Sequence, residues 1–289
     1  MKKIKLIYIL LTIAVCIVSL SIYFLWSKDA MNIKNLSGEI LMKNPHLTGI
    51  HNSKSNIVKF NPSNKKYMDL DISCSSPYFS NDKNRVLGIQ GPNKIVEYDL
   101  KNLNYAILYS DENVKNIFNP KYVPNHNEIS FIENNKLQIL NLENKEISDV
   151  TQVDSNSYTW SKDGNKIYFD DEKGISCIDY VNLNKKEFKN GARNPIMSDN
   201  GEYLAYRVGH ESLVITELNT GEEWKYNTTS LVTYDFSPNG NYIAIIEEGA
   251  ELPYFFNGQK MLIWDFKNNK KTTVISNVGD AANTNIDWK

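Results

Sequence analysis

Phe236-Ser237-Pro238-Asn239-Gly240-Asn241-Tyr242-Ile243 is a turn between two strands, and the chain writes it five times. The other copies are Pro77-Tyr78-Phe79-Ser80-Asn81-Asp82-Lys83-Asn84-Arg85-Val86, Tyr122-Val123-Pro124-Asn125-His126-Asn127-Glu128-Ile129, Trp160-Ser161-Lys162-Asp163-Gly164-Asn165-Lys166-Ile167 and Met197-Ser198-Asp199-Asn200-Gly201-Glu202-Tyr203-Leu204. Their anchor positions 80, 123, 161, 198 and 237 lie 43, 38, 37 and 39 residues apart. A period near 40 built of short strands is the sequence signature of a β-propeller.

One copy shows the physics of the unit. Val232 to Phe236 alternates as a short strand. Ser237-Pro238-Asn239-Gly240 is turn chemistry, because Pro presets φ while Asn and Gly tolerate positive φ. Tyr242 to Ile246 is nearly all apolar, as a strand covered on both faces must be. Met261 to Phe266, the turn Lys267 to Lys270 and a strand through Ile275 complete a four-stranded meander, one blade. The fourth strands of the other copies are short, polar and Lys-rich, which blunts an exposed edge against pairing with another chain.

The chain resembles the TolB-type six-bladed propeller within the broader WD-repeat-like group. The shared motif is aromatic-Ser-x-Asp/Asn-Gly-x-x-Ile/Leu, followed by an apolar strand. Residues 161–168, 198–205 and 237–244 match it; 80–87 lack the Gly, and 123–130 lack both Ser and Gly. The WD dipeptide occurs only as Trp264-Asp265, without a Gly-His partner. The resemblance covers residues 36–289. It implies an all-β fold and a scaffold role in envelope complexes, while propellers as a class host unrelated activities.

Asn285-Ile286-Asp287-Trp288-Lys289 aligns with the first strand of a repeat that has no blade behind it. The missing strands stand at the other end: Leu36 to Met42, Asn56 to Asn61 and Lys66 to Leu70. The expectation is a sixth, composite blade that closes the ring through the chain ends; five blades with ragged ends is the alternative.

The N-terminus reads as a membrane anchor. The apolar run from Ile4 to Trp26 is long enough to span a bilayer. Lys2, Lys3 and Lys5 favour a cytoplasmic N-terminus with the propeller on the extracytoplasmic side. The division expected is an uncleaved signal-anchor over 1–28, a linker over 29–36 and the propeller over 37–289. The apolar core is too long for a cleaved signal peptide, and the Ala-x-Ala site is missing. Lipidation at Cys16 is the other alternative, although Val15 before it departs from a lipobox.

Net charge is −2 for the chain and −5 for residues 30–289, with Arg85, Arg193 and Arg207 the only arginines. No basic stripe for nucleic acid exists. The abundance of Asn and Lys suggests an AT-rich bacterial genome. Cys74 and Cys177 fall on non-neighbouring blades and are expected to be free thiols.

No catalytic motif is present: no nucleophile elbow, His-Glu-x-x-His, Cys-x-x-Cys or P-loop. His46, His51, His126 and His210 all fall in expected loops and turns, and neither a metal site nor a cofactor is expected. Asp69, Asp71, Asp170 and Asp171 are expected to face solvent. The channel is the better handle. Inner-strand alternation aims Tyr78, Lys121, Thr159, Ile196, Asp235 and Asp287 at the axis, with Ser76, Asn119, Ser157, Asn194, Thr233 and Asn285 two residues earlier. Tyr78, Asn119, Lys121, Arg193, Asn194, Asp235, Asn285 and Asp287 are therefore the candidate ligand-binding set. Lys121 and Arg193 suit an anion, and Asp235 and Asp287 a cation or amine. The plain alternative is a narrow water-filled channel. On the loop face, the insert Glu247 to Gln259 carries Leu252, Tyr254, Phe255 and Phe256, either as a plug or as anchors for a partner. The function expected is a membrane-anchored module that binds an envelope or extracellular protein or a small ligand. The alternative is a hydrolase or lyase with its site in the channel.

Overall fold

The computed structural model describes residue 15 and residues 31–45, 56–114, 116–209, 211–228, 230–248, 259–278 and 285–289. These form six four-stranded antiparallel sheets. In five of them the strands follow in sequence from the axis outward, with inner strands Ser75–Phe79, Ile117–Tyr122, Tyr158–Trp160, Ala192–Met197 and Leu231–Phe236. These are blades 2 to 6. Blade 1 is composite: Asp287–Trp288 pairs with Ile40–Lys43, which pairs with Ile57–Asn61 and then Lys66–Asp69. The ring has six blades and closes through the chain ends, as the unpaired terminal repeat required.

Burial follows the radial order. In blade 6, Ile243–Glu248 is buried along five of its six residues, because neighbouring blades cover both faces. The outer strand Asn104–Ser110 of blade 2 is exposed along most of its length. The buried apolar side chains fall into six clusters, and each joins two adjacent blades. The two-residue period is visible inside one strand: Ile40 and Met42 pack with Ile246 and Ile263 of blade 6, while Leu41 packs with Phe79 and Val86 of blade 2. Six interfaces for six blades is the packing of a closed ring. Cys74 and Cys177 are buried and free. Burial pushes the Cys74 thiol up to about 12, so it packs as a small hydrophobe.

The recurring turn works through its serine. Ser237 Oγ accepts the Tyr242 amide at 3.0 Å and donates to Asn239 Oδ1 at 2.8 Å, and Asn239 accepts the Asn241 amide at 3.1 Å. The same bonds recur from Ser80 to Arg85 and Asp82, from Ser161 to Lys166 and Asp163, and from Ser198 to Tyr203 and Asn200. One hydroxyl thus satisfies the first amide of the next strand and orients the acceptor that holds the turn. Turns also stack around the ring. Gly164 has φ +74°, and a Cβ there would stand 2.3 Å from the Pro124 carbonyl oxygen of blade 3. The chain comes into blade 1 beside Lys289 and Pro238, on this turn face.

Among the described residues no helix is long and apolar enough to cross a membrane. The expected anchor, apart from Val15, lies outside the described residues, as do His46, His51, His210 and the insert at 249–258. One expectation is corrected. Asp170 does not face solvent; it is fully buried, accepting from Ser155 Oγ at 2.6 Å and from the Asn194 amide at 2.8 Å. The bulged backbone of the next blade's inner strand needs an acceptor there, which outweighs the cost of burying the carboxylate.

Trp288→Ala is expected to lower stability by about 3–5 kcal/mol in urea titration, since the ring removed sits in the closing interface. Gly164→Ala is expected to cost more than Gly221→Ala, because both glycines have positive φ but only Gly164 meets a neighbour. Equal losses at the two glycines would refute the stacking of turns.

Candidate functional site at the propeller axis

Each inner strand has a neighbour on one edge only. Its other edge turns amides and carbonyls toward the axis, where they need partners. Side chains of the preceding blade supply them. Asp287 of blade 1 accepts the Phe79 amide of blade 2 through Oδ2 at 2.6 Å. Asp235 of blade 6 accepts the Trp288 amide of blade 1 through Oδ2 at 2.7 Å. Thr159 of blade 4 accepts the Met197 amide of blade 5 at 3.1 Å. Lys121 of blade 3, a donor only, reaches instead the Tyr158 carbonyl of blade 4 at 2.9 Å. Residues 287, 235, 159 and 121 occupy the same position of the repeat, and each bond runs to the next blade in the same rotational sense.

Nearer the loop face the inner strands bulge. Registers shift between Ser75 and Tyr78, Phe118 and Lys121, and Arg193 and Ile196. Ser76, Asn119 and Asn194 take positive φ there, at 49°, 45° and 58°. Each is followed by a proline, which has no amide to leave unpaired in the bulge. The Tyr158 hydroxyl donates to the Asn119 carbonyl at 2.7 Å, and the Tyr234 hydroxyl donates to the Asn194 carbonyl. The Asn285 amide donates to Asn119 Oδ1, narrowing the loop-face end of the channel.

These walls enclose a cavity of ≈ 400 Å³. Tyr78, Asn119, Lys121, Asp235, Asn285 and Asp287 from the expected set line it, together with Ser76, Ser157, Thr159, Ile196 and Thr233. Arg193 and Asn194 are placed elsewhere. The Arg193 guanidinium donates to the carbonyls of Asp171 and Glu172 in blade 4, and Asn194 belongs to the bulge over Asp170. Leu252, Tyr254, Phe255 and Phe256 lie outside the described residues. Sequence reasoning missed Lys289 and Asp199, which line the turn-face side and form an ion pair across blade 6. The signal was present, because Lys289 takes the place of the anchor serine in the terminal repeat.

The electrostatics follow from depth. Burial raises the Asp235 carboxyl to about 8, helped by the negative field of Asp287. Burial raises Asp287 to about 6, against the pull of Lys289 and the Phe79 amide. Burial lowers the Lys121 ammonium to about 8, against the field of the two acids. For Lys289 burial works the same way, but Tyr78, Asp287, Asp199 and Asp235 together outweigh it and hold the ammonium well above its ordinary range. Tyr78 is pushed up by burial, and its ring lies 5.5 Å from the Lys121 nitrogen and 5.6 Å from that of Lys289. Among the described residues no group of three or more His, Cys, Asp or Glu side chains is arranged to hold a metal ion.

The class these features define is a six-bladed β-propeller of four-stranded blades with a charged axial cavity. No protein-family model and no curated protein matches the chain. Among solved structures it is similar to the β-propeller domain of Cps50 (Swd1) from Myceliophteria thermophila, with 12% identity and a TM-score of 0.53 over 76% of this chain and 80% of that one. At that identity the likeness concerns the fold alone.

Asp235 gives the fold a pH dependence of unusual sign. Its carboxyl pKa is raised by folding, so its contribution is fully present below about pH 4 and is lost as pH rises through about 8. Lys121 acts oppositely: its lowered pKa opposes folding at lower pH, and that penalty lifts as pH climbs from about 8 toward 10.5. Asp235→Asn keeps an oxygen for the Trp288 amide while removing the titration. Its urea midpoint is expected to be flatter than that of the parent between pH 5 and pH 8. An equally steep fall in the variant would refute the assignment to Asp235.

Proposed function

We propose that this chain is a membrane-anchored, extracytoplasmic propeller of the TolB type that works as a protein-interaction module. Residues 1–28 are the anchor, 29–36 the linker and 37–289 the propeller. The turn face looks toward the membrane, because the chain comes into blade 1 on that side. The loop face looks outward toward an envelope or extracellular protein.

The observation that carries this reading is the hairpin beneath the insert. Ile243–Glu248 and Gln259–Asp265 pair in register up to Glu248 opposite Gln259, with Ala244, Ile246, Met261 and Ile263 packed into the interface with blade 1. In the sequence, residues 249–258, with Leu252, Tyr254, Phe255 and Phe256, connect these two strands. A rigid scaffold presenting an aromatic segment is the architecture of a recognition surface. The axis supports the same reading over a hydrolase or lyase. Asp235 and Asp287, the carboxylates a channel enzyme would need, each hold a backbone amide of the neighbouring blade.

Pull-down from native membranes tests the interaction, with the full chain compared with a variant whose Leu252–Phe256 segment is replaced by Gly and Ser. A specific envelope protein captured by the parent and lost in the variant is expected. Identical captures from both would assign the insert to local packing. Alkaline extraction of membranes tests the anchor separately: the parent is expected in the pellet and a chain lacking residues 1–28 in the supernatant. Release of both would refute the anchor.

A further inference from the structure

Opposite sides of the axial cavity carry groups of opposite type: an acidic pair on one side, of which Asp287 holds the negative charge near neutral pH because burial keeps the Asp235 carboxyl largely protonated, and an ammonium on the other. Asp235 stands on blade 6 and Asp287 beside it on blade 1. Lys121 stands on blade 3, which in a ring of six faces blade 6. Tyr78 on blade 2 and Ile196 on blade 5 face each other across the other diameter. Among the described residues no cationic nitrogen lies within 4.0 Å of either acid, and no carboxylate oxygen within 4.0 Å of the Lys121 ammonium. The other axial ammonium, Lys289, casts its field on both acids but makes its ion pair with Asp199. The poles are thus held apart by the cavity instead of closing on each other.

Asp287 and Lys121 also keep unused bonding capacity, whereas Asp235 gives Oδ2 to the Trp288 amide and Oδ1 to the Phe236 amide. Asp287 is 2% exposed and gives Oδ2 to the Phe79 amide; its Oδ1 accepts no hydrogen bond among the described residues. The Lys121 ammonium has three N–H donors, and one goes to the Tyr158 carbonyl. Buried charges separated in this way are unfavourable unless something brings the complement to each. A cation alone would satisfy one pole and an anion alone the other. A molecule with an ammonium at one end and a carboxylate at the other satisfies both, and ≈ 400 Å³ limits it to small size.

We propose that the axial cavity binds a small zwitterion, a free amino acid or a short peptide, with its ammonium against Asp287, beside Asp235, and its carboxylate on Lys121. Tyr78 and Ile196 flank the chain between the two ends. The site is independent of partner binding on the loop face, and either can fail without the other.

The test is calorimetric titration of the full chain in detergent with glycine, 4-aminobutyrate, 6-aminohexanoate and triglycine. Butylammonium and butyrate serve as single-pole controls. At least one zwitterion is expected to bind on the order of tenfold more tightly than either control. Preference for the aminoalkanoates identifies the source as a free amino acid, and preference for triglycine as a peptide. Lys121→Gln is expected to erase the advantage of the zwitterion over butylammonium. Should that variant fail to fold, Ile196→Trp keeps both poles and fills the space between them, and binding is expected to vanish. No binding by any zwitterion, equal binding of zwitterions and controls, an advantage that survives Lys121→Gln, or binding that survives Ile196→Trp would each overturn the proposal.

Discussion

A sheet that begins at an axis has an edge there that no strand can pair, and this structure is organised around that edge. The first strand of every blade turns backbone amides and carbonyls inward, where the unmet hydrogen bonds of several blades would accumulate. Asp287, Asp235, Thr159 and Lys121 answer this with side chains that reach into the next blade, always in the same rotational sense. The bonds join blades side to side at the axis, while six apolar clusters join them farther out. Directional bonds at the hub and non-directional burial along the spokes do different work: the first fixes how the blades are set, and the second supplies most of the cohesion.

The composite blade depends on this arrangement most. Its inner strand is only Asp287–Trp288, with two residue pairs to the neighbouring strand. Such a short strand has little pairing of its own. Asp235 accepts the Trp288 amide, Asp287 accepts that of Phe79, the Trp288 indole donates to the Ser37 carbonyl, and Lys289 exchanges backbone bonds with Glu39. Closure therefore rests on side chains as much as on the sheet, and two of them are carboxylates whose ionisation burial opposes. The ring closes through groups that also line its cavity. Structural latch and candidate binding pole belong to the same side chain: Asp287 gives one oxygen to the Phe79 amide and turns the other to the cavity.

The turns show a second economy. Four of the repeats place a serine whose hydroxyl bonds the amide five residues on, and its acceptor partner two residues on holds the turn. Blade 3 has Val123 at that position and still makes the turn, because Asn125 takes φ 64° and the Val123 amide bonds the Glu128 carbonyl. The backbone bond from the anchor amide to the carbonyl five residues on is common to all five copies, and the serine bonds are added to it in four of them.

The sequence by itself determined the repeat, the blade count, the strands and the composite closure, because each rests on local chemistry: turn residues at fixed offsets, apolar strands, and a terminal repeat lacking its blade. It also placed Tyr78, Lys121, Asp235 and Asp287 on the axis, since a two-residue period and a common anchor fix which side chains turn inward. Only the tertiary structure decided what those side chains meet. Asp170 looked solvent-facing because it stands next to Asp171 near a turn, yet the bulge at Asn194, 24 residues on, buries it as an acceptor. Arg193 looked like a charge at the mouth, yet the carbonyls of the preceding blade hold it. Lys289 and Asp199 became a pair only when the ring closed over 90 residues of intervening chain. Each of these depends on contacts between blades, and repeat periodicity describes a blade without describing its neighbours.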